Sequence, residues 1–262
     1  MKAFPLALLL CASLVGAAPA GAQDSIARIK ERGKLLAGVK FDTPPFGFLN
    51  EKNEPVGFDL DLVRKIAERI GVTAEFVSVT SPTRIPMLVS GNVDLVAASM
   101  THTQERDRTI DFSITYYTGA QSLIVKRGSG IRGVKDLAGK RVAVQQATTL
   151  EKNIAAAAPQ ARIIGFKDYN SAWLALAQGR ADALTGSLNI LQGFAKDNPG
   201  FVILADRFSV EPFGMGVRQG DAALRDEVNF ALQQLWRSGE YAALYRKWFK
   251  SEPEVPLETW PQ

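Results

Sequence analysis

Two arginines and two hydroxyl residues in one short stretch have the chemistry of a carboxylate clamp. Arg84 and Arg106 flank an apolar strand pattern that ends in Ser99 and Thr101. A guanidinium group stays charged at physiological pH and presents forked donors that match a carboxylate, and nearby hydroxyl groups can complete the anion's hydrogen bonds. These residues therefore predict a small acidic ligand.

The composition is that of a soluble globular protein with one or two domains. The chain has 262 residues, of which 46% are hydrophobic, and a formal net charge of +4 that is not gathered into a basic run. We therefore expect no nucleic-acid partner. His102 is the single histidine, so neither a zinc site with several imidazoles nor a Ser-His-Asp hydrolase is expected.

The first 22 residues have the pattern of a cleaved secretory signal peptide. Lys2 provides a positive start, residues 6–15 are apolar, and residues 20–22 form a small-residue cleavage site. We expect a periplasmic protein. Cys11 is the only cysteine and follows Leu10; a lipid anchor there is disfavoured because a lipoprotein site requires a small residue before the cysteine. The mature chain would have no disulfide and no cysteine metal site.

Short β-branched segments alternate with helical patterns along the chain. The strand patterns include residues 34–40, 74–79, 93–98, 141–144 and 162–166. This alternation indicates an α/β fold class with mostly parallel sheets. The clearest helix pattern spans residues 57–71. We expect Asp59 and Asp61, at its start, to complement the helix dipole rather than to contact a ligand.

A short internal repeat supports two similar halves. Four residues recur 88 positions later: Leu88, Gly91, Asp94 and Ser99 correspond to Leu176, Gly179, Asp182 and Ser187. In each half, a helix that ends at glycine is followed by an aspartate and by a strand that leads to a serine. The repeat places the two serines at equivalent strand ends.

Ligands of open α/β sheets bind beyond the carboxyl ends of the strands, so two such lobes would bind a ligand between them. Candidate connections between the lobes are residues 116–121 and 208–213. Two connections make the first lobe discontinuous. We expect residues 23–117 plus 213–262 in lobe 1 and residues 118–212 in lobe 2, with hinge closure over the ligand.

Several ordered motifs resemble family 3 of the extracellular solute-binding proteins, the polar amino-acid receptors of ABC importers. The motifs are residues 57–62, 100–113, 136–144 and 247–249. The resemblance covers nearly the whole mature chain and is closest to the glutamate/aspartate-binding members. It implies the two-lobed type II periplasmic-binding-protein fold, delivery of a ligand to a membrane permease by cleft closure, and no cofactor. We expect a monomer.

The resemblance also implies roles for individual residues. Arg106 matches the arginine that binds the ligand's α-carboxylate, and Ser99 and Thr101 match its partners. Thr148 and Thr149 stand in a loop that opens a helix, where backbone amides face the carboxylate. Residue 147 is alanine where the family usually has glycine; if its φ must be positive, that change is costly.

Side-chain specificity is indicated by two further cations. Lys40 stands where the glutamate/aspartate binders have a basic residue, and Arg84 resembles their second arginine. A ligand with two carboxylates would offset the repulsion and desolvation of three cations. Tyr169, Gln145 and Phe46 match further contacts. They have simpler alternatives: packing between the lobes, a solvated loop position and a core position, respectively.

Ser187 stands where amino-acid-binding members usually have the aspartate that accepts the ligand ammonium. A neutral hydroxyl cannot balance that charge, because charged hydrogen bonds contribute roughly 1.5–3 kcal/mol and neutral ones about 1 kcal/mol. Two ligand hypotheses follow. One is an acidic amino acid such as glutamate or aspartate, with its ammonium held by hydroxyl groups and carbonyls. The other is a dicarboxylate or other organic acid without an ammonium.

We expect a binding protein rather than an enzyme. A lyase on this fold would need a titratable acid in the cleft, and the best-suited position carries Ser187. A ligand-binding subunit of a membrane sensor is the remaining alternative. No catalytic residue and no metal ligand is predicted.

Overall fold

The computed structural model describes residues 25–254 and 256–257. The expected signal peptide and Cys11 lie outside the described residues. The helices are α1 (Ser25–Arg32), α2 (Phe58–Ile70), α3 (Arg84–Val89), α4 (Gln104–Asp107), α5 (Thr149–Ala157), α6 (Tyr169–Ala177), α7 (Leu188–Ala195), α8 (Ala222–Ser238) and α9 (Glu240–Phe249), with a 3-10 helix at Val134–Leu137. The strands are β1 (Lys34–Val39), β2 (Asp42–Thr43), β3 (Gly47–Leu49), β4 (Pro55–Val56), β5 (Thr73–Ser78), β6 (Leu95–Ala97), β7 (Ile110–Phe112), β8 (Tyr117–Lys126), β9 (Arg141–Gln145), β10 (Arg162–Phe166), β11 (Ala183–Ser187), β12 (Phe201–Ile203), β13 (Val210–Phe213) and β14 (Gly216–Arg218).

Two mixed sheets, each packed against helices, form two lobes. The first sheet has the order β5-β1-β6-β14-β7, and the second sheet has the order β10-β9-β11-β8-β12. In each sheet the strands that alternate with helices pair in parallel, around β1 in the first and around β9 in the second. The other strands, β14, β7, β8 and β12, pair antiparallel. The predicted strand patterns correspond to β1, β5, β6, β9 and β10.

The chain passes between the two sheets along β8 and returns along β13. These two strands pair antiparallel, with Tyr117 opposite Phe213 and Thr118 opposite Pro212. Beyond this pair, β8 continues into the second sheet and the chain after β13 leads to β14 in the first sheet. The two connecting strands therefore lie side by side.

The internal repeat has a structural counterpart at the start of β6 and of β11. The Asp94 carboxylate accepts a hydrogen bond from the Leu36 amide at 3.0 Å, and the Asp182 carboxylate accepts one from the Arg141 amide at 2.8 Å. Each aspartate amide in turn donates to the carbonyl of the same neighbour at 2.8 Å. Both aspartates thus fasten the entry of a strand to the adjacent parallel strand, and both repeat glycines end a helix with positive φ.

The helix α2 buries its predicted apolar stripe against the first sheet. The stripe consists of Leu62, Val63, Ile66, Ala67 and Ile70. The helix ends at Gly71, whose φ of 87° is the left-handed conformation that glycine adopts without strain. Among the described residues, no helix combines the length and the apolar character needed to cross a membrane.

Candidate functional site

A small cavity lies between the two lobes, and most of the predicted ligand-binding residues line it. The lining residues that the sequence predicts are Lys40, Arg84, Ser99, Thr101, Gln145, Thr148, Thr149, Tyr169 and Ser187. Its further lining comes from Thr43, Ala98, Leu150, Ile190 and Phe213. The cavity volume is about 20 Å³, which has room for about one water molecule. The cleft is therefore closed, and an amino acid could enter only if the lobes separate.

The lining residues from both lobes lie at strand ends and helix starts. Lys40 follows β1 and Ser99 follows β6, whereas Ser187 ends β11. Thr149 and Tyr169 are the first residues of α5 and α6 in the second lobe. These positions lie at the carboxyl ends of parallel strands, where α/β sheets bind their ligands.

The cavity concentrates buried polar atoms that have no hydrogen bond within the described part of the chain. They are Lys40 Nζ, Arg84 Nε, Ser99 Oγ, Gln145 Nε2 and Tyr169 OH. Burying such a group without a partner costs about 1–3 kcal/mol. Each of these groups can donate a hydrogen, so the cavity is suited to a ligand rich in acceptor atoms, as a carboxylate is.

Two buried cations give the cavity a positive potential. Burial lowers the pKa of Lys40 to about 8, against the opposing charge of Asp42, whose carboxylate lies 3.8 Å from Nζ. Burial, together with the neighbouring Arg106 charge, lowers the pKa of Arg84 to about 9. A bound carboxylate would favour the charged form of both groups.

Arg106 lies next to the cavity but does not line it in this closed cleft. It is a half-buried residue of α4, and its Nη1 donates to the Thr101 carbonyl at 2.5 Å. Burial lowers the pKa of Arg106, and the charge of Glu211 opposes that shift. The structure thus holds Arg106 beside one of its predicted partners, and direct contact with a ligand stays a prediction.

Phe46 lies in an aromatic cluster of the first lobe, away from the cavity lining. Its side chain is fully buried, with ring centroids 4.8 Å from Tyr117 and 5.5 Å from Phe213. Of the two interpretations of this residue, the geometry matches the core position. Phe213 is the member of this cluster that reaches the cavity.

Asp59 organises the strand end that carries Ser99, a role that the sequence did not suggest. Its carboxylate accepts hydrogen bonds from the Ser99 amide at 3.0 Å and the Tyr116 hydroxyl at 2.8 Å. Ser99 has a φ of 46°, a strained conformation for a residue with a side chain. Burial raises the pKa of Asp59 to about 7, although both hydrogen bonds oppose the shift. Asp59 therefore acts as a tether, not only as a complement to the helix dipole.

Glu211 is a second buried carboxylate that the sequence did not single out. One of its oxygens accepts from the hydroxyls of Thr101 and Thr149, each at 2.6 Å. The other accepts from Asn153 and Ser209, each at 2.7 Å. Because Thr101 belongs to the first lobe and Thr149 to the second, Glu211 joins both lobes beside the connecting strands.

Other hydrogen bonds also bridge the lobes. The Ser81 hydroxyl donates to the Gln145 side chain at 3.0 Å. The Tyr169 amide at the start of α6 donates to the Asp42 carboxylate at 2.7 Å. Gln145 and Tyr169 are thus held in place by first-lobe groups, while their own donor atoms remain available to the cavity.

Ala147 has the positive φ that makes its replacement of glycine costly. Its φ is 57°, and its amide donates to the Glu151 carboxylate at 3.1 Å. We expect Ala147→Gly to raise the free energy of unfolding by about 1 kcal/mol, because glycine adopts this conformation without strain. Urea denaturation measures the change. Ala138→Gly is the matched control, because Ala138 is exposed with a φ of −55°. Glycine should only destabilise the protein there. An equal change in stability at both sites would contradict the inferred backbone strain at Ala147.

Residues 35–251 match a family model described as bacterial extracellular solute-binding proteins, family 3. The ABC transporter glutamine-binding protein GlnH of Bacillus subtilis (strain 168) is 40% identical over 236 residues, which are 88% of this chain and 86% of that protein. The L-glutamate/L-aspartate-binding protein of Pseudomonas aeruginosa is 32% identical over 247 residues, which are 88% of this chain and 82% of that protein.

Solved structures show the same arrangement of lobes. An ancestral arginine-binding protein bound to glutamine superimposes with a TM-score of 0.81 at 38% sequence identity. The match covers 84% of this chain and 99% of that protein. The expected two-lobed type II fold is thereby confirmed.

Proposed function

We propose, because this chain belongs to family 3 of the bacterial extracellular solute-binding proteins, that it binds an acidic amino acid and delivers it to the membrane permease of an ABC importer. The observation that carries this proposal is the convergence of unpaired donors on the cavity, among them the buried cations Lys40 and Arg84. Two carboxylates on one ligand would supply hydrogen-bond acceptors to both lobes and offset the desolvation cost of both buried cations.

The comparisons support an amino acid as the ligand class. The relatives carry names that specify glutamine or glutamate and aspartate, and the ancestral structure is described as bound to glutamine. Lys40 and Arg84 favour glutamate or aspartate over glutamine, because a second carboxylate would add a negative charge beside two buried cations, whereas a neutral side-chain amide would not.

A dicarboxylate without an ammonium is the second candidate, and Ser187 favours it. Ser187 lines the cavity with a neutral side chain. Asp42, Asp59 and Glu211 lie near the cavity, but none of them lines it.

Delivery would depend on closure about the paired strands β8 and β13. We propose lobe boundaries near Tyr117 and Phe213, which are opposite each other in that pair. The lobes rotate about these strands, ligand stabilises the closed form by its greater affinity for that form, and the permease recognises the closed form. A monomer in the periplasm fits this role.

Calorimetric titration of the purified protein tests the ligand class. The panel consists of glutamate, aspartate, glutamine, asparagine, succinate and 2-oxoglutarate. We expect glutamate or aspartate to bind at least about tenfold more tightly than the corresponding amide, which is about 1.4 kcal/mol. Tightest binding by a neutral amino acid would refute the roles of Lys40 and Arg84. Tightest binding by succinate or 2-oxoglutarate would favour the second candidate.

Binding should weaken above pH 8. The pKa of Lys40 is lowered to about 8, and a bound carboxylate raises it again because it favours the ammonium form. Below pH 8 the lysine is already protonated; above pH 8 binding must take up a proton, so the affinity falls by up to about tenfold per pH unit. Titrations between pH 7 and 9 in buffers of different ionisation enthalpy measure this uptake. An affinity that does not change over this range would contradict it.

A further inference from the structure

Glu211 is a buried carboxylate that accepts hydrogen bonds from the side chains of cavity-lining residues in both lobes. Its side chain is 1% exposed and lies on β13, one of the two connecting strands. Four neutral donors surround it: the hydroxyls of Thr101, Thr149 and Ser209 and the side-chain amide of Asn153. A carboxylate offers about four acceptor positions, so this set of donors saturates an ionised Glu211.

These hydrogen bonds fix which way two hydroxyl hydrogens point. A threonine hydroxyl has a single hydrogen, and Thr101 and Thr149 each direct theirs to the same oxygen of Glu211 at 2.6 Å. The two hydroxyl oxygens lie 3.1 Å apart, with no hydrogen left to join them. Both residues line the cavity. Towards a ligand they can therefore only accept hydrogen bonds.

This acceptor pair contrasts with the rest of the lining. The unpaired atoms of Lys40, Arg84 and Gln145 can only donate, so they suit carboxylate oxygens. An ammonium group has three donors and no acceptor. In the Thr101–Thr149 pair, two hydroxyl oxygens lie 3.1 Å apart and both donate their hydrogens to one carboxylate, so a negative charge lies directly behind two neighbouring acceptors.

Glu211 also lies close to the position where the aspartate is missing. A Cβ atom added to Gly119 would lie 3.6 Å from Ser187 Oγ and 3.7 Å from Glu211 Cβ. The two side chains thus approach the same point on β8. The other nearby carboxylates are engaged elsewhere: Asp42 with Tyr169 and Lys40, and Asp59 with Ser99 and Tyr116.

We infer that Glu211 supplies the negative charge that balances the ligand ammonium. The hydroxyl oxygens of Thr101 and Thr149 accept the hydrogen bonds of that ammonium directly. Glu211 is a positioning residue in this scheme, because it acts through the two threonines. The inference rests on the proposed function, since it concerns the amino group of an acidic amino acid in the same cavity. It explains how the site could hold an ammonium with a serine at position 187.

The test compares glutamate with glutarate, which has the same two carboxylates but no ammonium. Glu211→Gln removes the charge and keeps the shape of the side chain. We expect glutamate affinity to fall about tenfold or more, as for loss of a charged partner, and glutarate affinity to stay within about twofold or to increase. Calorimetry gives both constants. A merely structural Glu211 would weaken both ligands equally, and that result, or no change for either, would overturn the inference.

Two further variants keep the test decisive if Glu211→Gln folds poorly. Thr149→Val removes one acceptor oxygen, and with it one hydrogen bond to Glu211, but leaves the Glu211 side chain in place; it should again weaken glutamate selectively. Ser187→Asp in the Glu211→Gln background restores a carboxylate and should recover glutamate affinity; failure to recover it in a folded double variant counts against the inference. Wild-type protein that binds glutarate but not glutamate would overturn this inference and favour the second candidate ligand, a dicarboxylate. Glutamate binding that Glu211→Gln leaves unchanged would overturn this inference alone. Binding of neither acid would refute the proposed function as well.

Discussion

Replacing Lys40 by methionine is expected to weaken glutamate binding about a hundredfold, a typical effect of removing one partner of a buried charge pair. The same change should raise the free energy of unfolding by about 2 kcal/mol at pH 7. Lys40 Nζ makes no hydrogen bond, its side chain is 2% exposed, and its pKa falls from 10.5 to about 8. Methionine fills the same space without a charge, so the variant should be more stable but should bind glutamate less tightly.

The sign of the stability effect follows from the pKa of Lys40. A lowered pKa means that the fold disfavours the ammonium form, so the destabilisation is fully present below pH 8 and disappears as the pH rises towards 10.5. The gain from methionine should therefore be largest near neutral pH and vanish in alkaline solution. Urea denaturation at pH 7 and at pH 10 measures it.

Lys34→Met is the matched control, because Lys34 begins the strand β1 that Lys40 follows. Its amine is 53% exposed and pairs with Glu75 at 2.8 Å, and exposed pairs contribute about 0–1 kcal/mol. We expect neither glutamate affinity nor stability to change appreciably. A Lys40→Met protein that binds glutamate like the wild type, or that is less stable, would contradict the assignment of Lys40. The ratio of glutamate to glutamine affinity should fall in Lys40→Met and stay constant in Lys34→Met.

The sequence was sufficient for the architecture because its signals are local. Alternating strand and helix patterns predicted the parallel parts of both sheets, and the repeat of Asp94 at Asp182 marked equivalent strand entries. The direction of the other strands was less accessible. β8 and β14 join their sheets from the connecting segments and pair antiparallel, which depends on long-range pairing rather than on periodicity.

The site was predictable where a residue stands at a strand end or a helix start, as Ser99, Thr149 and Tyr169 do. It was not predictable where the role depends on distant partners. Asp59 has the position of a residue that complements the helix dipole, but its partner Ser99 is 40 residues away. Glu211 meets Thr101 across 110 residues of sequence, and no spacing rule connects two such positions.

The two buried carboxylates change how the site is understood. Asp59 tethers the strained Ser99, and Glu211 orients the hydroxyls of Thr101 and Thr149. Neither lines the cavity, yet each determines what a lining residue can do. The recognition groups are thus preorganised by fully buried acids, which reduces the ordering that binding must impose.

Arg106→Ala is expected to weaken glutamate and glutamine alike, by about a hundredfold or more. Both ligands carry an α-carboxylate, whereas only glutamate carries the second acid that Lys40 serves. Arg106 Nη1 donates a hydrogen bond to the carbonyl of the cavity residue Thr101 at 2.5 Å, which leaves its other N–H groups for a ligand. Calorimetry with both amino acids, beside Lys40→Met, separates a general carboxylate contact from a specific one.

Two variants complete the experiment on Arg106. Arg108→Ala removes an exposed arginine two residues away and should leave both affinities unchanged. Arg106→Lys keeps the charge but loses the forked donors, so its affinities should lie between those of the wild type and of Arg106→Ala. If Arg106→Ala binds both amino acids like the wild type, the guanidinium does not contact the ligand. The α-carboxylate must then bind other donors around the cavity, among them Arg84, Gln145 and the amides at the start of α5.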